Sequence, residues 1–287
     1  MSDEPNTISR REFTALSIAA GVAAATGASG AAASEMIDSD VRVSTPAGVC
    51  DAALIHPRDG SWPGVILFPD VFGLRPTMRD MARRLAAEGF TVLVPNPFYR
   101  TSKPGSLSPN IDFNNPADRA KIDALRAPLT REAVMQDATA YVKFLDSRPV
   151  VNTKAKMGVF GYCMGGPMTM QAAAANPDRI GAGASFHGGG LVTDKPDSPH
   201  LLVPRMKAQF YFAIAMNDDQ RQPEAKTRLD EGFKAANLAA KIEVYEGCVH
   251  GWCVKDMPVL AGKPIYNEPQ AERAWGELVG LFKRAHV

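Results

Sequence analysis

Only four cysteines and five histidines occur in this chain, so thiol or imidazole chemistry has few places to sit. Cys163 stands in the run Gly161-Tyr162-Cys163-Met164-Gly165. An apolar stretch with Met157, Val159 and Phe160 precedes it and reads as a buried strand. An Ala- and Met-rich segment of helical composition follows. Strand, sharp turn, helix is the grammar of a nucleophile elbow, with Cys where Ser is the commoner choice. The flanking glycines have a steric task, because strand and helix must approach closely around a strained nucleophile. The helix N-terminus behind the thiol brings unpaired N–H groups and partial positive charge, which favour a thiolate and an oxyanion alike. A glycine-rich turn can also do no more than bury a cysteine; the elements on either side favour the nucleophile.

A thiol nucleophile needs a base, and the base needs an orienting acid. His250 follows the last expected strand and Asp218 follows the strand before it. The chain order Cys163, Asp218, His250 is the nucleophile–acid–His order of α/β-hydrolases and differs from the two common serine-protease orders. Asp219 competes with Asp218 for the acid's place; the position directly after the strand favours Asp218. Two backbone N–H groups are the expected oxyanion donors. One belongs to Met164, just past the nucleophile, and the other to Val71, in the loop Asp70-Val71-Phe72-Gly73. Asp70, His187 and Trp252 stand near the same strand ends: Asp70 is a candidate to activate the thiol, His187 to line the pocket or cap the loop at the sheet's end, and Trp252 to wall the pocket or the core. Arg79 and Arg100 read as salt-bridging residues.

These side chains need a scaffold that delivers them to one edge. Residues 41–57 read as two opening strands around the turn Thr45-Pro46-Ala47-Gly48. Val65-Ile66-Leu67-Phe68 suits a central strand buried on both faces. A helix is expected from Pro76 to Gly89, with Met78, Met81, Ala82, Leu85 and Ala86 on one stripe. A strand over 91–94 and a Pro-, Ser- and Asn-rich loop over 99–115 follow. Residues 121–146 read as helix broken near Pro128-Leu129-Thr130. Further strands are expected over 183–186, 208–215 and 241–245, with Met216-Asn217-Asp218-Asp219 as a turn. Helices are expected over 223–236 and from about Glu268. Strands alternating with helices predict a mostly parallel central sheet with helices on both faces, an α/β class. In such sheets the site lies beyond the carboxyl ends of the strands, and Asp70, Cys163, His187, Asp218 and His250 all fall there.

The motifs also carry a resemblance. GYCMGG, the passage DVFGLRPTMRDMARRLAAEGF with PNPFYR, and EGCVHGW together resemble the dienelactone hydrolase family; SFHGGG, DSPH and the tail YNEPQAERAWGELVGLF are similar to a branch of it. The resemblance runs from about Val41 to the C-terminus. It implies an α/β-hydrolase fold and a Cys163–His250–Asp218 triad that cleaves a small-molecule ester or lactone, such as a dienelactone, with no metal or organic cofactor. Two positions depart from the typical pattern. Asp70 stands where typical members carry Glu beside the thiol. Cys253 and Val254, then Lys255, stand where the type members place an Arg that holds the substrate carboxylate. Rival readings are a general carboxylesterase or thioesterase, a non-catalytic binding protein on the same fold, and a thiol redox protein. The absence of a C-x-x-C pair argues against the last.

With 287 residues, 45% hydrophobic, 22% charged and a net charge of +1, the composition suits an ordinary globular domain and gives no electrostatic case for nucleic acid. Residues 34–287 are expected to form a single domain. Residues 1–33 differ: Arg10-Arg11 precede an uncharged Ala- and Gly-rich stretch that exits in small residues. This reads as a twin-arginine-type export signal, and implies a periplasmic or secreted protein without stable membrane insertion once the signal is removed. A cytoplasmic protein with an Ala-rich leader is the alternative. Cys248 and Cys253 flank His250 and are expected as two buried free thiols rather than a disulfide. The pattern carries no information on oligomeric state.

Overall fold

The computed structural model describes residues 35–107, 111–260 and 262–287; the expected export signal lies outside them. The opening strands form a hairpin, β1 (Met36–Thr45) and β2 (Gly48–Pro57), paired antiparallel in register from Met36–Pro57 to Thr45–Gly48. β3 (Gly64–Phe68) and β4 (Thr91–Pro95) follow, joined by α1 (Pro76–Ala86). Then come α2 (Pro116–Arg126), α3 (Arg131–Asp146), β5 (Met157–Tyr162), α4 (Gly165–Ala175), β6 (Ile180–Phe186) and β7 (Gln209–Ala215). The chain continues with α5 (Met216–Arg221), α6 (Ala225–Ala235), β8 (Ala240–Tyr245) and α7 (Glu268–Arg284).

The eight strands lie in the order β1-β2-β4-β3-β5-β6-β7-β8, with β2 antiparallel to both neighbours and every later pairing parallel. The parallel strands are buried on both faces, so they need apolar side chains in both directions. Along β3, Ile66 and Phe68 point into the layer shared with α3, α4 and α6, while Val65 and Leu67 point into the layer under α1 and α7. From β3 the chain steps to β4 on one side and later to β5 on the other. The loops after β3 and β5 therefore open a crevice where the winding reverses, the place at which such sheets build sites.

Local sequence explains most element ends. The Asn115 side chain accepts from the N–H groups of Ala117 and Asp118, and Pro116 fills the first helical position, so α2 starts five residues earlier than its apolar pattern suggests. Thr130 caps α3 by accepting the Ala133 N–H; the break before it is the one the sequence predicts. The expected turn after β7 is instead the short helix α5, which places Asp218 in its first turn. Arg79 pairs with Asp38 and Asp40, and Arg100 with Asp137, both as salt-bridging residues. No helix among the described residues is long and apolar enough to cross a membrane.

Candidate active site

Cys163 is the first residue past β5, and its φ of +51° puts a side chain in the left-handed region that favours glycine. Its N–H donates to the Phe186 carbonyl at 3.0 Å, and its carbonyl accepts from Gly166 and Gly189 at 3.0 and 3.3 Å. Strain of this kind persists only where the surroundings over-determine the backbone. They do so by close packing: a Cβ at Gly165 would fall 2.2 Å from the Phe68 carbonyl oxygen, and one at Gly161 would fall 2.4 Å from that of Gly165. Only glycine lets α4 sit so near the ends of β3 and β5.

His250 reaches the thiol from the loop after β8. Its Nδ1 lies 2.7 Å from Asp218 Oδ2. Nδ1–H donates to that carboxylate, which leaves Nε2 as the atom turned to the thiol and able to hold its proton. Asp219, the rival acid, is turned away and holds Lys226 Nζ at 2.6 and 2.7 Å. Burial alone would lower the His250 pKa, but its hydrogen bonds with Asp218 and the Cys163 thiol prevail and raise it to about 10. Asn217 adds a support that the sequence did not signal: its Oδ1 accepts the His250 backbone N–H at 2.9 Å.

Val71, Cys163 and Met164 line one cavity of about 510 Å³, together with Ile122, Arg119 and Arg126 of α2. Among the described residues neither the Val71 nor the Met164 N–H has an intramolecular acceptor, so both remain available to an oxygen in that cavity. Arg119 and Arg126 were not anticipated. They sit seven residues apart, two turns, on one face of a helix whose start the apolar pattern misplaced.

Three further candidates sort differently. His187 is completely buried, has φ +40°, and lies edge-on to His250 with ring centroids 4.7 Å apart. Among the described residues neither of its ring nitrogens has a hydrogen-bond partner. Burial, then repulsion from His250, pushes its pKa well below the ordinary histidine value.

Asp70 does not engage the thiol. Arg75 takes both of its oxygens at 2.7 and 2.9 Å, and the Phe72 N–H donates to Oδ1 at 2.9 Å. Arg75 also binds Asp256 at 2.7 and 2.8 Å. A buried carboxylate needs a paired cation, and Arg75, five residues on, satisfies it better than a thiol would. The trio fastens the Val71 loop to the segment after His250.

Trp252 does not wall the cavity either. It is fully buried and stacks on Tyr245 at 4.3 Å, in the layer under α7. Its large ring fills that layer, next to Gly251 at φ +94°. Cys248 and Cys253 are buried and unbridged.

The model of the dienelactone hydrolase family matches residues 50–286. The chain belongs to that family. A "Putative carboxymethylenebutenolidase" of Methylorubrum extorquens is 27% identical over 98% of this chain and 94% of its own length. Carboxymethylenebutenolidase 1 of Cupriavidus pinatubonensis is 28% identical over 63% of this chain and 72% of its own. Among solved structures, the dienelactone hydrolase-like promiscuous phosphotriesterase P91 from metagenomic libraries superposes with a TM-score of 0.70 at 21% identity, covering 88% of this chain and 99% of that one. The fold is thus the α/β-hydrolase fold of dienelactone hydrolases, and the protein is an ester or lactone hydrolase.

Proposed function

We propose that this dienelactone hydrolase family member cleaves its substrate through a covalent thioester on Cys163. The observation that carries the reading is the 2.7 Å contact between His250 Nδ1 and Asp218, beside a cysteine held at φ +51° at the mouth of the 510 Å³ cavity. The Cys163 sulfur attacks the carbonyl carbon, and its proton resides on His250 Nε2. The developing oxyanion takes the Met164 and Val71 N–H groups. Collapse breaks the C–O bond, and His250 returns the proton to the departing alkoxide or enolate oxygen. Water then attacks the thioester with His250 as base, releasing the acid and restoring the thiol. Asp218 keeps the imidazole in the tautomer that both steps need.

Arg119 and Arg126 border the cavity, with Asp123 between them on the same face. Among the described residues the ion pairs of this stretch are Lys121–Asp118 and Arg131–Glu132, and neither the Arg119 nor the Arg126 guanidinium takes part in one, which supports a substrate bearing a carboxylate. In this reading α2 supplies the anion contact that the type members take from an Arg after the histidine. The export signal read in residues 1–33 supports action in the periplasm or outside the cell, and replacing Arg10 and Arg11 by Lys should retain the protein in the cytoplasm.

The deciding experiment compares kcat/KM on a dienelactone and on p-nitrophenyl acetate, with Cys163→Ala as control and intact-mass detection of an acyl adduct after rapid quenching. Cys163-dependent turnover of the lactone with a trapped adduct is expected. Turnover of the acetate alone would leave a general carboxylesterase. Turnover that survives Cys163→Ala would overturn the mechanism.

A further inference from the structure

His187 is an anomaly that hydrolysis leaves unexplained. A fully buried imidazole ordinarily finds at least one partner, because an orphaned buried polar group forfeits its bonds to water with nothing in return. Here, among the described residues, both ring nitrogens are unpartnered, and the backbone is held in the left-handed region besides. One nitrogen of His187, one nitrogen of His250 and the sulfur of Cys163 all lie within 4.8 Å of one another.

We propose that Cys163, His187 and His250 form a site for a thiophilic divalent cation of the zinc type, which reversibly silences the hydrolase when it binds. One thiolate and two imidazoles suit a tetrahedral ion of this class, with metal–sulfur and metal–nitrogen distances of about 2.3 and 2.0 Å. Around such an ion the donors stand roughly 3.3–3.8 Å apart, so modest rotations of Cys163 and His250 close the site. The second shell is already built. Asp218 occupies His250 Nδ1 at 2.7 Å, so Nε2 is the ligating atom in a carboxylate–histidine–metal relay. Gly189 and Phe186 fix the Cys163 backbone, and the Ala213 carbonyl accepts the His187 N–H at 2.8 Å. Cys163 itself lines the cavity, from which a fourth ligand would reach the ion. Binding displaces the thiol proton to solvent and ties up the sulfur lone pair and His250 Nε2 together, the two groups that acyl transfer requires. The binding claim stands apart from the hydrolytic mechanism; only the silencing rests on it.

The test uses the full-length protein freed of metal by a chelator and then titrated with cobalt(II), whose thiolate charge-transfer and tetrahedral ligand-field bands report the donor set. One equivalent is expected to give both bands, and zinc(II) should then displace it. Cys163→Ser should lose the charge-transfer band. His187→Phe should weaken cobalt binding by more than the roughly 10–100-fold typical of losing an outer-shell partner, with His187→Gln as a second variant and circular dichroism to certify folding of each. A double Cys248→Ser, Cys253→Ser variant should bind as the native protein does. Absence of the thiolate band at equimolar cobalt, or equal affinity in a folded His187 variant, would overturn the proposal. Ester turnover of the metal-free protein is read separately, so a failed hydrolase and a failed metal site give different results.

Discussion

His187 lies edge-on against His250, with 4.7 Å between ring centroids, and the two imidazoles are driven in opposite directions by their surroundings. His250 has Asp218 and Cys163 to favour its proton; in His187 burial, then the neighbouring His250, disfavours one. The pair is a matched contrast of protonation behaviour inside one site.

That contrast sets a pH dependence of stability. A histidine whose folded pKa lies below its unfolded value leaves stability intact above about pH 6.5 and withdraws it as pH falls. His187 should therefore destabilise the fold below about pH 6.5 by up to ~1.4 kcal/mol per pH unit. His250 acts with the opposite sign: its contribution is full below about 6.5 and is lost as pH rises through about 10. Urea midpoints of the native protein and His187→Phe at pH 7.5 and 5.5 check the first effect. The variant should lose less between the two pH values; an equal loss in both would remove His187 as the cause.

Activity should follow His250. The pH profile of kcat/KM on an aryl ester, corrected for spontaneous hydrolysis, should keep its plateau until the basic limb near pH 10. Asp218→Asn removes the carboxylate that favours the imidazolium, so that limb should move toward neutral pH while kcat falls by between about 10² and 10⁴-fold. Asp219→Asn, which breaks only the contact with Lys226, should leave the limb where it is. A shift produced by the Asp219 variant instead would reassign the acid.

The Asp70–Arg75–Asp256 trio predicts a stability phenotype before a kinetic one. Removing Arg75 leaves a buried Asp70 carboxylate unpaired, and breaking such a pair costs about 3–5 kcal/mol. Arg75→Ala should lower the unfolding free energy by that amount, read from the denaturant midpoint and slope, and loosen the Val71 loop. Asp70→Asn, which retains an acceptor for the Phe72 N–H, should cost less. If Asp70→Asn instead abolished turnover with an unchanged midpoint, Asp70 would have a chemical task.

The elbow makes a steric prediction. Gly165→Ala forces a methyl group to 2.2 Å from the Phe68 carbonyl oxygen, a backbone atom that cannot swing aside. The expected result is a loss of 1–3 kcal/mol or more in the unfolding free energy, the usual range for overpacking. Gly189→Ala meets nothing within 4 Å and should be nearly neutral. Equal midpoints for the two would mean that α4 can retreat from β3.

The sequence by itself determined the pattern of elements and the residue types at the proposed triad positions. Apolar runs bounded by turn residues mark β3, β5, β7 and β8, and the Gly-x-Cys-x-Gly spacing marks the elbow, because both follow from rules acting within a few residues. Chain order likewise placed Cys163, Asp218 and His250 at strand ends. Tertiary structure alone decided which buried groups meet. Arg75 and Asp256 are 181 residues apart in sequence, and their pairing with Asp70 appears only once β3 and the segment after β8 share an edge. His187 was visible as a polar residue past β6, but its two unpartnered nitrogens are a property of everything packed around it. From its sequence Trp252 suited the pocket or the core, and packing against Tyr245 in the layer under α7 put it in the core. Two guanidiniums reach the cavity from α2, whose start depends on an asparagine cap and a proline rather than on hydrophobic periodicity. Local steric and periodic rules are written along the chain; burial, pairing and cavity lining are written only where distant segments touch.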